Sequence, residues 1–486
     1  MRGKRLHRRG ALAVLFTGLA VWIAPGCSRE DPGQSVILIT IDTLRADHLT
    51  CYGYPRATSP ELDRFLARGA RFQQAFSTSC RTAPSHVSLL TGLYPSFNSA
   101  DVENGKYPLN PSFVTLAEIC RQAGMKTAAV VSNPVLSRRL MLHQGFETYD
   151  DTFPDRVLNR PEAEKIADTT VAAALRQLET LQGSRFFLWV QFQDPHGPYT
   201  PPDRVLQGFD ASDTDPATAG IRLDVGQYHS GYQSIPSYQA LGEERLLSEY
   251  IRRYDAEIRY LDEQLGRLFR AIESSDLLRD TLVVITADHG EAFGEEEFYC
   301  AHGHGLGLDQ THVPLGFVGP GIPPSGVVNA AVSNIDFFAT ALDALGLDGD
   351  HAQSKSLLSA LRAGQEPQLH VGYAESVTQR AAFAGDTYLR IDRRPLTDKE
   401  FWATRNPYTG AAYTPLGEQK VVPLRAHPSD PEKLPAPARV AELSRQLDEF
   451  SRQADEAVTE LDQARRNSRL LMEKEKQRLR ALGYFK

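Results

Sequence analysis

Four polar motifs along the 486-residue chain contain residue types that can bind a metal ion and act as nucleophile, acid or base beside it. The first, I-D-T-L-R-A-D-H, contains Asp42, and the second, T-A-P-S-H-V-S-L-L-T-G, begins at Thr82. The third, F-Q-D-P-H-G-P-Y-T-P-P, contains His196, and the fourth, T-A-D-H-G-E, contains Asp288 and His289. Each motif alone is typical of a helix cap, a turn or a rigid loop. Together, their carboxylates, hydroxyl and imidazoles could act around one divalent cation.

Apolar runs precede three of these motifs and must position them. The runs are continuous and rich in β-branched residues, which is typical of strands buried on both faces of a parallel sheet. They cover residues 36–41, 127–131, 186–192, 281–286 and 315–318. Helical patterns lie between them at residues 60–68, 114–124, 163–180 and 244–274. This alternation predicts an α/β fold with a doubly wound central sheet flanked by helices, in which ligands bind beyond the carboxyl ends of the strands.

The first residues have the pattern of an export signal. Five cationic side chains lie within residues 1–9, and the apolar run at 11–24 is too short to span a membrane comfortably. The run ends in Ala24-Pro25-Gly26-Cys27, which loosely resembles the lipidation site of a bacterial lipoprotein signal. We therefore predict an exported protein, periplasmic or anchored in the outer membrane of a bacterium through a lipid on Cys27. The alternative is an uncleaved N-terminal anchor.

The rest of the chain divides into further segments. The predicted segments are 1–27 (signal), 28–35 (linker), 36–346 (catalytic α/β domain), 347–433 (small C-terminal subdomain) and 434–486 (C-terminal helical segment). Residues 370–391 have the pattern of two short strands in a second sheet. From residue 435, apolar residues recur at spacings of three and four, which predicts a helix. This helix packs on its own domain or, alternatively, forms a short coiled coil in a homodimer.

The composition limits the classes of molecule that the protein is expected to bind. A formal net charge of −8 leaves no basic field and argues against nucleic-acid binding. Residues 207–235 are rich in Asp, Gly, Ser and Tyr and predict a long insertion near the site, which sets substrate choice or is an inert excursion.

Four cysteines besides Cys27 could form up to two disulfides in any of three full pairings. They are Cys51, Cys80, Cys120 and Cys300.

In their order and wording, the motifs resemble those of the sulfatase family in the alkaline phosphatase superfamily. The second motif looks like the sulfatase signature, in which a cysteine is followed by x-P-S-R-x-x-x-L-T-G. The matching residues are Pro84, Ser85, Leu90, Thr91 and Gly92. D-P-H-G-P-Y-x-P-P, A-D-H-G-E-x-F-G-E and H-V-P-L are equally typical of the family. The resemblance runs in order from residue 36 to about residue 346 and implies the alkaline-phosphatase and sulfatase-like α/β fold.

Two departures from the family pattern determine the expected chemistry. Thr82 stands where sulfatases carry the cysteine that becomes formylglycine, and His86 replaces the arginine, so formylglycine is not expected. His289 stands in place of an asparagine, and Thr43 in place of a second aspartate. One imidazole and fewer carboxylates favour Mn²⁺ or Zn²⁺, with Ca²⁺ or Mg²⁺ as alternatives.

The resemblance also implies roles for individual residues. The predicted ligands of a single divalent ion are Asp42, Thr82, Asp288 and His289. A second ion is the alternative, with Asp194 and His196 as its local candidates. The predicted catalytic residues are Thr82 as the nucleophile and His196, His302 and His304 as groups facing the substrate, with either His302 or His304 pointing inward. Asn133 and His86 are predicted to bind substrate, unless Asn133 is only a helix cap and His86 only replaces the arginine structurally.

The predicted reaction is hydrolysis of a phosphate or sulfate ester through a covalent intermediate on Thr82. A plain hydroxyl is regenerated readily by attack at phosphorus, whereas a sulfated alkoxide is harder to release, so a phosphodiester or phosphonate ester is favoured. The alternatives are a sulfatase proper, an envelope phosphoglycerol or phosphoethanolamine transferase, and a binding protein without activity. The expected partner is a small-molecule, glycan or lipid ester, and the only expected membrane contact is the N-terminal lipid.

Overall fold

The fold is built on a large central sheet with helices on both faces and a smaller antiparallel sheet. A computed structural model describes residues 34–98, 108–154, 163–210, 216, 218–226, 231–349, 353–392, 419–424 and 434–481, with side chains only up to residue 464. The predicted export signal at 1–27, Cys27, most of the linker at 28–35 and parts of the insertion at 207–235 lie outside the described residues.

The elements follow one another in the alternation that the sequence predicts. The strands are β1 (Ser35–Ile41), β2 (Ala70–Phe76), β3 (Lys126–Val130), β4 (Thr148–Asp150), β5 (Phe186–Phe192), β6 (Thr281–Ala287), β7 (Ala292–Phe293), β8 (Tyr299–Ala301), β9 (His312–Val318), β10 (Gly326–Ser333), β11 (Gly372–Glu375), β12 (Gln379–Ala384), β13 (Thr387–Asp392) and β14 (Gln419–Pro423). The helices are α1 (Pro60–Leu66), α2 (Thr82–Thr91), α3 (Leu116–Gln122), α4 (Ala167–Leu181), α5 (Asp203–Leu206), α6 (Leu247–Ser274), α7 (Leu308–Thr311), α8 (Asp336–Leu345), α9 (Leu358–Ala363) and α10 (Pro437–Ala481).

The central sheet has the strand order β10-β2-β9-β6-β1-β5-β3-β4. Only β9 runs antiparallel to its neighbours, β2 and β6, so the sheet is mixed but mainly parallel. β1 lies in the middle, with Ile39 paired to Val190 of β5 and to Ile285 of β6. The carboxyl ends of these three strands therefore meet at one edge, and a polar motif follows each of them directly.

Side chains of the central strands alternate between two apolar cores, one on each face of the sheet. Ile37 and Ile39 of β1 pack with α1, α4 and α6, whereas Val36 and Leu38 pack with α2, α3, α8 and α9. All seven residues of β1 are buried, as are those of β5 and β6. This double covering explains why the strands are continuously apolar, and it confirms the predicted doubly wound α/β fold.

Three strands of the sheet were not predicted from the sequence: β2, β4 and β10. β2 has the sequence A-R-F-Q-Q-A-F, which shows neither the alternating nor the continuous apolar pattern of a strand. Its two glutamines are nevertheless buried. β10 lies at one edge of the sheet and β4 at the other, where one side of a strand has no partner strand. Polar residues are tolerated at such positions, and they hide the strand pattern.

The smaller sheet has the order β11-β12-β13-β14 and is antiparallel throughout. It contains three strands in the region where two were predicted, and β14 joins from later in the chain. α10 lies against it and buries four apolar residues, which are Leu443, Leu447, Phe450 and Ala454. The Phe450 ring stacks on Tyr373, with their centroids 4.0 Å apart. The C-terminal helix thus packs on its own domain, while the coiled-coil alternative and the segment boundaries stay predictions.

The four described cysteines are free thiols, so none of the three disulfide pairings that the sequence allowed is present. Cys80, Cys120 and Cys300 are buried. Within the described ranges, no helix combines the length and the apolar character that crossing a membrane requires.

Candidate active site

The pairing of β1 with β6 brings the predicted metal ligands together. Asp42 is the first residue after β1, and Asp288 and His289 are the first two after β6. The backbone hydrogen bonds continue past the strand ends, because Asp288 N donates to the carbonyl oxygen of Ile41 at 3.3 Å. The two carboxylates and the imidazole therefore converge at the carboxyl edge of the sheet.

These three side chains form a buried cluster that fits one cation. One ligand atom from each of Asp42, Asp288 and His289 lies within 4.8 Å of the other two. His289 Nε2 is 3.9 Å from Asp42 Oδ1 and 3.6 Å from Asp288 Oδ2. Thr82 Oγ1 lies 3.3 Å from the same nitrogen. The four residues predicted to bind a metal thus lie together, although Asp194 and His196 are not part of this cluster.

The hydrogen bonds around the cluster leave its inward atoms for a cation. Among the described residues, no donor reaches Asp42 Oδ1 or Asp288 Oδ2, although both atoms are buried. His289 Nδ1 hydrogen-bonds the Gly290 carbonyl oxygen at 2.9 Å, which makes Nδ1 the protonated nitrogen and turns the Nε2 lone pair inward. Two unpartnered buried carboxylate oxygens are costly without a positive charge between them. The donor set therefore fits a divalent cation.

Burial also shifts the pKa values of these ligands. It raises the pKa of Asp42 well above its usual range, and the nearby charge of Asp288 adds to the effect. Burial likewise raises the pKa of Asp288 to about 8. The pKa of His289 is lowered by burial, which favours the neutral imidazole that a metal requires.

The nucleophile candidate is held at the beginning of a wholly buried helix. Thr82 is the first residue of α2, and all ten residues of that helix are buried. The Ser85 hydroxyl donates to the carbonyl oxygen of Asp288 at 2.7 Å, which ties the helix to the carboxylate–imidazole cluster. His86 hydrogen-bonds the Thr82 carbonyl oxygen at 2.8 Å through Nδ1 and Thr40 Oγ1 at 2.9 Å through Nε2.

His86 is therefore a structural residue in this arrangement. Both ring nitrogens are used within the protein, and the side chain is fully buried. Burial lowers the pKa of His86 to about 3, so the ring is neutral. The contacts of His86 within the protein match its alternative role in place of the family arginine, and its predicted substrate contact stays a prediction.

Of the two candidate histidines in H-G-H, His302 is the one that lies against the cluster of Asp42, Asp288 and His289. Its ring centroid is 4.5 Å from that of His289 and 5.2 Å from that of His196. His304 instead stacks on Phe298, and its Nε2 accepts a hydrogen bond from Gln310 Nε2 at 2.7 Å. Burial lowers the pKa of both histidines well below the usual range.

His196 lies at the outer side of His302. Its Nδ1 hydrogen-bonds the Gly197 carbonyl oxygen at 2.8 Å, and its ring faces Tyr238 with a centroid distance of 6.4 Å. Tyr238 lies shortly after the predicted insertion at 207–235, and the neighbouring Gln239 packs so closely on Gly197 that a Cβ on Gly197 would meet the Gln239 amide. The chain that follows the insertion thus borders the site beside His196.

Sequence reasoning missed two charged residues of the site. Glu291 is fully buried, and its Oε1 lies 3.2 Å from His302 Nδ1 while its Oε2 accepts from the Tyr199 hydroxyl at 3.1 Å. Burial raises the pKa of Glu291 to about 7. Arg81 donates to the Gly303 carbonyl oxygen at 3.0 Å, and its charge helps to lower the pKa of His302. Glu291 could have been found from the A-D-H-G-E motif, but no signal in the sequence marks Arg81.

The side chain of Asn133 makes two hydrogen bonds within the protein, and its predicted substrate contact stays a prediction. Its Nδ2 donates to Asp42 Oδ2 at 2.6 Å, and its Oδ1 accepts from the backbone N–H of Val135 at 2.9 Å. The alternative reading as a cap is correct in geometry, because Asn133 precedes the short 3₁₀ helix Pro134–Leu136. Its contact with a metal ligand was not anticipated.

The fold and this buried carboxylate–imidazole cluster define the class of protein. Residues 34–347, well over half of the chain, match the family described as Sulfatase. The chain therefore belongs to the sulfatase family, which the order of its motifs predicted.

Individual relatives agree with this assignment. Iduronate 2-sulfatase of Homo sapiens is 28% identical over 333 residues, which are 59% of this chain and 60% of that protein. The match thus spans about 60% of the length of that relative.

Two solved structures share the fold. One, determined in complex with its substrate D-glucosamine-2-N,6-O-disulfate, has a TM-score of 0.65 at 18% identity and covers 88% of this chain and 98% of its own. The phosphonate monoester hydrolase of Agrobacterium radiobacter has a TM-score of 0.57 at 21% identity, covering 74% of this chain and 87% of its own.

Proposed function

We propose that the protein is a metal-dependent hydrolase that cleaves phosphodiesters or phosphonate monoesters through a covalent intermediate on Thr82. The observation that carries the proposal is a plain hydroxyl, Thr82 Oγ1, placed 3.3 Å from His289 Nε2 in a buried cluster with two carboxylates. A hydroxyl nucleophile suits transfer at phosphorus, because a second attack at the same phosphorus regenerates it.

Asp42, Asp288 and His289 would hold the cation through Oδ1, Oδ2 and Nε2, the atoms that face one another in the cluster. A divalent cation bound there supplies a Lewis acid that lowers the pKa of the Thr82 hydroxyl and polarises a non-bridging oxygen of the substrate. Mn²⁺ and Zn²⁺ are the favoured ions, because a mixed carboxylate and imidazole set suits them better than Ca²⁺ or Mg²⁺.

The proposed reaction consists of two displacements. In the first, Thr82 Oγ1, after losing its proton to solvent, attacks phosphorus and the bond to the leaving oxygen breaks. That oxygen keeps the electron pair and takes a proton from His302. In the second, the oxygen of a water molecule bonds to phosphorus and gives a proton to His302, while the phosphorus–Oγ1 bond breaks. Oγ1 keeps the electron pair and takes a proton from solvent, which regenerates Thr82.

Glu291 and the bound substrate support His302 in this role. Glu291 Oε1 lies 3.2 Å from its Nδ1 and directs the opposite nitrogen, Nε2, away from Glu291. An anionic ester beside the ring raises the pKa of His302 and opposes the effect of burial, so the protonated form becomes available when substrate binds. His196 and Arg81 contribute positive or polar groups that could compensate charge on the non-bridging oxygens.

A sulfate ester is the second candidate substrate. It is supported by the likeness to human iduronate 2-sulfatase and to the structure that contains a glucosamine disulfate. The likeness to the phosphonate monoester hydrolase supports the first candidate instead. A transferase would use the same first displacement and replace water by an alcohol in the second.

We also propose that the protein is exported, from the charged and apolar pattern of residues 1–27. A lipid on Cys27 would hold it at the membrane, and Cys27→Ala would then move it from the membrane fraction to the soluble periplasmic fraction. Recovery of the wild-type chain in the cytoplasm would contradict export.

The reaction is tested by assaying aryl esters in parallel: bis-p-nitrophenyl phosphate, p-nitrophenyl phenylphosphonate, p-nitrophenyl phosphate and p-nitrophenyl sulfate. The full chain is first freed of metal by chelation and then supplied with Mn²⁺, Zn²⁺, Ca²⁺ or Mg²⁺. We expect phosphodiester or phosphonate turnover with Mn²⁺ or Zn²⁺.

Two variants of the nucleophile complete the experiment. Thr82→Ala should abolish turnover, whereas Thr82→Ser keeps a hydroxyl and should retain measurable activity. Preferential sulfate turnover would support the second candidate, activity in Thr82→Ala would refute the nucleophile, and a metal-loaded chain that is inactive on every ester would favour a binding protein.

A further inference from the structure

We propose that Asn133 is a positioning residue that holds the metal ligand Asp42 in place, and that Gln191 of β5 fixes Asn133 for this task. The inference rests on the proposed metal-dependent function, but it assigns Asn133 to the metal site and not to substrate binding. It identifies a buried chain of hydrogen bonds that connects the middle of the central sheet to the cation.

The hydrogen bond from Asn133 distinguishes the two carboxylate oxygens of Asp42. Asn133 Nδ2 donates to Oδ2 at 2.6 Å, whereas the described residues offer no donor to Oδ1. Oδ1 is the oxygen that lies 3.9 Å from His289 Nε2. The amide thus fixes the rotation of the carboxylate, so that one oxygen is hydrogen-bonded and the other is presented to the cation.

Asn133 is itself held at both ends. Its Oδ1 accepts from the backbone N–H of Val135 at 2.9 Å, and its own backbone N–H donates to Gln191 Oε1 at 2.9 Å. The same oxygen of Gln191 accepts from the backbone N–H of Ser132 at 2.8 Å. Gln191 is fully buried within β5, next to β1, so the chain of contacts begins at a buried strand of the central sheet and ends at Asp42.

This geometry argues against a direct substrate contact. Asn133 is only 4% exposed, and both polar atoms of its side chain are engaged within the protein. If the amide were removed, Asp42 Oδ2 would become another buried carboxylate oxygen without a partner, and the carboxylate could rotate. Replacing a hydrogen-bond partner of a metal ligand typically lowers the affinity for the metal by about 10-fold to 100-fold.

The experiment measures cation affinity without substrate. The full chain, freed of metal, is titrated with Mn²⁺ and with Zn²⁺ by calorimetry or equilibrium dialysis, for the wild type, Asn133→Ala and Gln191→Ala. We expect Asn133→Ala to raise the Kd by about 10-fold to 100-fold and Gln191→Ala to raise it in the same direction. Saturating cation should then restore kcat/KM of Asn133→Ala to within a few fold of the wild type.

Asn98→Ala is the matched control, because Asn98 is also a buried asparagine but its amide donates to Ser88 and Leu93. It should leave the Kd for the cation unchanged. Circular dichroism checks the folding of each variant, and Asn133→Ser, which is smaller and still polar, serves if the alanine variant does not fold.

An unchanged Kd together with a KM raised tenfold or more would overturn the inference and make Asn133 a substrate contact. A wild type that binds cation but hydrolyses none of the esters would overturn the proposed reaction alone, because the affinity comparison would still stand. A wild type that binds neither cation would overturn both.

Discussion

Replacing Asp288 by asparagine should change how the stability of the cation-free protein depends on pH. Burial raises the pKa of Asp288 from its ordinary value of 3.8 to about 8 in the folded protein. Between these two pH values the folded protein keeps a proton on this carboxyl group that the unfolded chain releases. The free energy of unfolding therefore falls as the pH rises from about 4 and stops falling, for this group, above about pH 8.

The magnitude follows from the size of this shift. At about 1.4 kcal/mol per pH unit, Asp288 lowers the free energy of unfolding of the wild type by about 4 kcal/mol between pH 5 and pH 8. The asparagine carries no charge at any of these pH values. It also keeps an Oδ1 that can accept from the backbone N–H groups of Thr43 and His289, which now donate to Asp288 at 3.2 and 2.8 Å.

The assay is urea unfolding followed by circular dichroism, in a chelator, at pH 5, 6, 7 and 8. The stability of Asp288→Asn relative to the wild type should increase steadily over this range. Asp343→Asn, which alters an exposed carboxylate, is the control and should follow the wild type. Added Mn²⁺ or Zn²⁺ should stabilise the wild type more at pH 8 than at pH 5, because the cation and the proton compete for the same carboxylate.

Parallel curves for Asp288→Asn and the wild type would refute the reasoning, since they would mean that the carboxyl titrates alike in the folded and unfolded chains. Equal stabilisation of both proteins by the cation would refute Asp288 as a ligand.

Three further predictions concern single side chains. His302→Ala should lower kcat about 100-fold or more on esters with poor leaving groups and less on p-nitrophenyl esters. His304→Ala, assayed on the same esters, should lower kcat less on the poor leaving groups. Equal losses in both variants would contradict the choice of His302. Glu291→Gln keeps an acceptor for His302 Nδ1 and should retain more activity on the poor leaving groups than Glu291→Ala. An equal loss in the two variants would mean that the charge of Glu291 matters and that its orientation of the His302 ring does not. Phe450→Ala removes a ring stacked on the smaller sheet and should lower the free energy of unfolding by about 3–5 kcal/mol without changing the Kd for the cation, as urea unfolding and metal titration would check.

Much of the fold was readable from the sequence because the central strands are buried on both faces. β1, β5 and β6 are mainly apolar runs whose residues are all buried, and their ends could be located to within a residue or two. β2 was missed because Gln73 and Gln74 interrupt its apolar pattern, and its place in the sheet is set by pairing with β9 and β10, which lie far away in the chain.

The positions of the strand ends also indicated where the centre of the candidate site lies. Asp42, Asp288 and His289 follow strands that lie side by side, and parallel strands end at a common edge, so their proximity was implied by position along the chain. The Thr82 motif added the nucleophile candidate through its resemblance to the sulfatase signature.

The α/β class, the family and the residues at the strand ends thus follow from the amino-acid sequence alone. The directions of the loop side chains do not. His302 and His304 are two residues apart, yet one packs against His289 and the other against Phe298. Asn133 and Glu291 gained their partners in the same way. Strand ends are set by local hydrophobic patterns, whereas the direction of a loop side chain depends on packing and hydrogen bonds with residues far away in the chain, which no local pattern contains.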